Sequence, residues 1–97
     1  MDGLRVLIIY YDRDDDILIN YVKDFTSNFY VFAYQKNVSL EGLNVVTGNI
    51  LNVLDDFKGK IDVIALRKRS SYGNGDFKFI DLLREIKNRG YKILLVD

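Results

Sequence analysis

Ninety-seven residues with zero formal charge, 48% hydrophobic and 29% charged, describe one ordinary globular domain over residues 1–97 with a modest core. The longest apolar runs fall far short of the roughly 20 residues that cross a bilayer, so a membrane partner is not expected. Cysteine and histidine are both absent, which removes disulfides, thiolate chemistry and the commonest transition-metal ligand.

Any catalysis would therefore rest on carboxylates, tyrosines, serines, lysines or arginines, with a hard cation if a metal takes part. The opening MDGLRVLII lacks the marks of a signal peptide, and the expected compartment is the cytoplasm. Charge is unevenly spread: residues 1–49 carry four basic and seven acidic side chains, residues 50–97 ten basic and seven acidic. A local basic patch is compatible with that; a uniformly nucleic-acid-binding surface is not. Proline is absent and alanine occurs only at Ala33 and Ala65. An AT-rich genome would produce this bias. A designed scaffold with no biological function is the other account, although designs load helices with Ala and Glu, and only Glu41 and Glu85 are present.

Residues 4–11, LRVLIIYY, read as a strand buried on both faces. Asp14 or Asp15 is placed to cap the next helix, in which Ile17, Leu18, Tyr21, Val22 and Phe25 recur at helical spacing. Phe29 to Gln35 has the aromatic and β-branched content of a strand. Its alternation sets Val31 and Ala33 inward and offers Tyr30, Phe32 and Tyr34 as an exposed edge or partner surface suited to a homodimer or another protein. Lys36 to Gly42 reads as a loop, and Leu43 to Thr47 as a short strand in hairpin with the one before.

Ile50, Leu51, Leu54 and Phe57 mark a second helix that stops near Gly59. Ile61 to Leu66 is again a buried-type strand. Residues 67–75, RKRSSYGNG, form a polar, glycine-containing loop, with Tyr72-Gly73-Asn74-Gly75 as a turn. Asp76 is placed to cap a third helix with core face Phe79, Ile80, Leu83 and Ile86, closed by Arg89 and by Gly90 at C′. Lys92 to Val96 is the last strand. The order β-α-β-β-α-β-α-β predicts an α/β three-layer sandwich with a mainly parallel sheet. The alternative is a ferredoxin-like βαββαβ unit with an added helix and strand.

Sites in open α/β sheets lie at the carboxyl ends of the strands, where the strand order reverses. Asp12, Asp14, Asp15 and Asp16 leave the first strand at that rim. Arg67, Lys68, Arg69, Ser70 and Ser71 leave the third long strand there if the two are parallel. Three readings of the aspartates stand open: a helix N-terminus, a structural ion-pair cluster with residues 67–69, and a magnesium or manganese site on Asp12, Asp14 and Asp15. For Arg67, Lys68, Arg69, Ser70 and Tyr72 the choice is between a solvated loop and a phosphate or nucleic-acid contact.

RVLIIYYDRDDDIL resembles the start of a response-regulator receiver domain, in which a strand ends in a magnesium-binding acidic pair. GLNVVTGN is similar to that family's second strand. GKIDVIAL and FIDLLREIKNRGYKI resemble its third strand, third helix and fourth strand. The resemblance implies a flavodoxin-like fold and a phosphoryl site, but an incomplete one. The phospho-acceptor position at the end of the third strand is Arg67 here, and the segment through Asp97 does not reach the family's lysine. Arg67 is then placed to take the metal's role and neutralise the aspartates.

Residues 61–96 also resemble the serine-recombinase catalytic domain, without its serine motif after the first strand. Residues 6–42 resemble the small CRISPR-associated nuclease, in which a strand ends in Tyr-Asp as at Tyr11-Asp12. The leading expectation is a non-enzymatic, receiver-like protein-interaction or regulatory module. The alternatives are a metal-dependent nuclease or phosphoryl-transfer domain on the aspartates, and DNA contact through residues 67–72.

Overall fold

The computed structural model describes residues 3–34, 40–72 and 77–96. They form a five-stranded, wholly parallel sheet with helices on both faces, a three-layer α/β sandwich. In chain order the elements begin with β1 (Val6–Tyr10), a 3-10 turn (Arg13–Asp15), α1 (Asp16–Lys23), β2 (Phe29–Ala33), β3 (Val45–Val46) and α2 (Ile50–Asp56). β4 (Val63–Leu66), β5 (Ser71–Tyr72), β6 (Phe77–Lys78), α3 (Phe79–Asn88) and β7 (Lys92–Leu95) follow.

The sheet order is β3-β2-β1-β4-β7. Chain growth moves outward from β1 through β2 to β3, returns across to β4 beside β1, and ends at β7. α1 lies on one face; α2 and α3 lie on the other. Because both the direction of growth and the face change at β1, the crossovers keep one hand, as parallel units require. The strand order reverses between β1 and β4, and that is where a crevice is expected.

Period-two alternation divides the core. Leu7, Ile9, Phe32, Ile64 and Leu66 face α2 and α3, against Val53, Leu54, Leu82 and Ile86. Val6, Ile8, Tyr10, Val31 and Ala65 face α1, against Leu18, Ile19 and Val22. The VLII and VIAL runs are thus buried on both sides, as central parallel strands are. α2 starts on Asn49, whose side chain accepts from Leu51 N at 2.9 Å and Asn52 N at 3.2 Å. α3 closes with Gly90 at φ +85, its N–H donating to Lys87 O, a left-handed position that favours glycine.

Several expectations are corrected. β2 and β3 pair in parallel (Val31 with Val45, Phe32 with Val46), not as a hairpin. The Val31 N–H donates to the Asn44 carbonyl at 2.8 Å, which starts β3 alongside β2 in the same direction. The ferredoxin-like alternative falls with the same observation, since every pairing in the main sheet is parallel. β2 is an interior strand. Its second face is no edge: Phe32 is fully buried, Tyr34 packs on Phe32 and Tyr11, and only Tyr30 is exposed, edge-on to Phe57. The polar loop after β4 contains an antiparallel hairpin, Ser71 opposite Lys78 and Tyr72 opposite Phe77. α3 begins at Phe79 with Lys78 as its cap residue, while Asp76 lies outside the described residues, as does most of the expected loop 36–42.

Candidate functional site: the acidic turn at the sheet reversal

Asp12 ends the extended chain after β1 and caps the 3-10 turn, accepting from Asp14 N at 3.0 Å. Neither Asp14 nor Asp15 caps the α-helix with its side chain, because a 3-10 turn intervenes and moves each to another task. Asp15 is fully buried. One of its oxygens accepts from Tyr11 N at 2.6 Å, and the other from Arg69 Nη2 at 2.8 Å. Asp16 lies on the outer side and accepts from the Tyr10 hydroxyl at 2.6 Å. The Asp14 side chain faces solvent, and its backbone carbonyl accepts from Arg67 Nη1 at 2.9 Å.

The opposite wall comes from the chain leaving β4. Arg67 and Arg69 both reach the acidic turn, while Lys68 between them is exposed. Two-residue spacing along a chain places side chains on one side. The Arg69 guanidinium forks onto Asp12 at 3.0 and 3.3 Å and onto Asp15 at 2.8 Å. It lies over the Tyr11 ring at 4.9 Å and near the Tyr72 ring at 5.8 Å, within cation–π range. Tyr11, Tyr34 and Tyr72 meet one another at 5.4–5.8 Å and form the aromatic bed for this cation. The Tyr72 hydroxyl donates to the Arg67 carbonyl, and pairing of Tyr72 with Phe77 fixes the ring.

Only 18% of the Arg69 side chain is exposed. Burial works against its charge. Hydrogen bonding and attraction to Asp15, then to Asp12, outweigh that and raise its pKa above the ordinary arginine value. Burial, followed by the neighbouring Asp15 charge, pushes Tyr72 up to about 12. Tyr10 is pushed up to about 12 by burial and then by its bond to Asp16. Both phenols are therefore neutral donors across the physiological range.

Of the residues singled out in the sequence, Asp12, Asp15, Arg69 and Tyr72 come together. Asp14 contributes its carbonyl, not its carboxylate. Lys68 and Ser70 are exposed, and Arg67 holds backbone. Among the described residues no three carboxylates converge on one point. The neutralising arginine is Arg69, not Arg67: Arg67 follows β4 directly and reaches the backbone of the turn, whereas two further residues bring Arg69 over its buried face. Tyr11 and Tyr34 were missed as members of the site. A tyrosine following a buried run reads as more core, and only the sheet register sets the two rings beside each other.

A separate open cleft of about 620 Å³ lies at the other end of the sheet, beside the amino ends of β1, β4 and β7, walled by Leu4, Ile61, Tyr91, Lys58, Arg89 and Lys92. Its Arg89 is tied to Asp55 and Glu85 at 2.7 Å each. The chain matches no family model, no curated protein and no solved structure, so the functional reading stands on these side chains. No helix among the described residues is long and apolar enough to cross a membrane.

Proposed function

We propose that this chain is a non-enzymatic protein-interaction or regulatory module, receiver-like in outline, whose phosphoryl site is incomplete and closed by an arginine. The observation that carries this reading is the contact of Arg69 with both Asp12 and Asp15 at the sheet reversal. A magnesium site of the phosphoryl-transfer kind needs carboxylate oxygens free for the ion and open positions for water and phosphate. Here those oxygens bond a guanidinium on an aromatic bed, and the residue after β4 is Arg67 where a phospho-acceptor carboxylate would stand. For a cation to enter, Arg69 would have to leave.

A nuclease or phosphoryl-transfer reading on Asp12, Asp14 and Asp15 would need that displacement. DNA contact through residues 67–72 would fall to Lys68 and Ser70, because Arg67, Arg69 and Tyr72 already bond within the fold. The test is a titration with magnesium and manganese into the millimolar range, followed by backbone amide NMR. No saturable shift is expected at residues 11–17 or 67–69, and a small acyl-phosphate donor should leave the mass unchanged. Saturable shifts confined to those residues, or a stable aspartyl phosphate, would overturn the proposal.

A further inference from the structure

We draw no further inference here: the strongest candidate, the open cleft at the amino ends of β1, β4 and β7, holds nothing that selects a ligand, since its Arg89 is tied to Asp55 and Glu85, its Asp62 to Arg5, and its remaining cations, Lys58 and Lys92, are exposed surface lysines.

Discussion

Arg69→Met would remove the guanidinium and keep most of the stem that lies on Tyr11 and Tyr72. What remains is Asp15, fully buried, with one oxygen still bonded to Tyr11 N and the other without its cation. Stripping one partner from a buried pair costs about 3–5 kcal/mol. The lower end applies here, because Arg69 is 18% exposed and Asp15 keeps one backbone bond. Asp12 is 37% exposed and adds little, since pairs open to water are worth about 0–1 kcal/mol. The expected loss is therefore about 3 kcal/mol, a large share of the roughly 5–15 kcal/mol that holds a domain together. For a chain this short, that corresponds to a fall in melting temperature of about 12–24 °C. Urea unfolding followed by circular dichroism measures it directly. Asp15→Asn combined with Arg69→Met should cost clearly less than the sum of the two single changes, because the double variant buries no unpaired charge. A loss under about 1 kcal/mol for Arg69→Met, or strict additivity in the cycle, would refute the claim that this pair holds the rim.

Two further outcomes follow from the same geometry. Asn49→Ala removes the side chain that caps α2 through Leu51 N and Asn52 N, and should lower unfolding free energy by about 1 kcal/mol with no change in the sheet spectrum. Tyr10 and Tyr72, held near 12 in the folded chain, titrate near 10 when unfolded. The unfolded state gives up these protons first, so their contribution is complete below about pH 10 and is lost as pH rises towards 12. Ultraviolet phenolate titration should show late phenols, Tyr10, Tyr72 and the burial-raised Tyr91 among them, with one lost in each of Tyr10→Phe and Tyr72→Phe. Simultaneous ionisation of all tyrosines in the folded chain would contradict this.

The parallel sheet was legible because VLII and VIAL are apolar without alternation, a pattern that only strands covered on both faces tolerate. α3 was legible as a helix from its period and from Gly90, but its core face was not: Ile80, placed inward, is 58% exposed, and the buried residues are Leu82 and Ile86. β2 misled because an alternating aromatic strand at an edge and one buried on both faces share the same letters; Phe32 and Val31 are both buried, on opposite faces. The β2–β3 direction is encoded by no single residue of the sequence between the two strands. The β5–β6 hairpin has strands of two residues, shorter than any window over which alternation can be counted. Its available signal was Asn74-Gly75, a strong hairpin turn pair, set between Ser71-Tyr72 and Phe77-Lys78.

The acidic turn shows why the rest could not be read along the chain. YYDRDDDI places four carboxylates within five residues, and their chemistry is decided by what stands opposite them. That partner arrives from more than fifty residues away, because the strand order brings β4 beside β1. The helix-cap and ion-pair readings then divide among individual residues. Asp12 caps a turn and pairs with Arg69, Asp15 pairs while buried, and Asp14 does neither with its side chain. A buried carboxylate bound to an arginine that itself lies on tyrosine rings gives each member a reason to stay. Asp15 without Arg69 is a desolvated charge; Arg69 without Asp15 is a cation drawn below a solvated surface. The cluster is consequently a firm joint between the first βα turn and the segment after β4. On this reading the acidic rim keeps the fold closed.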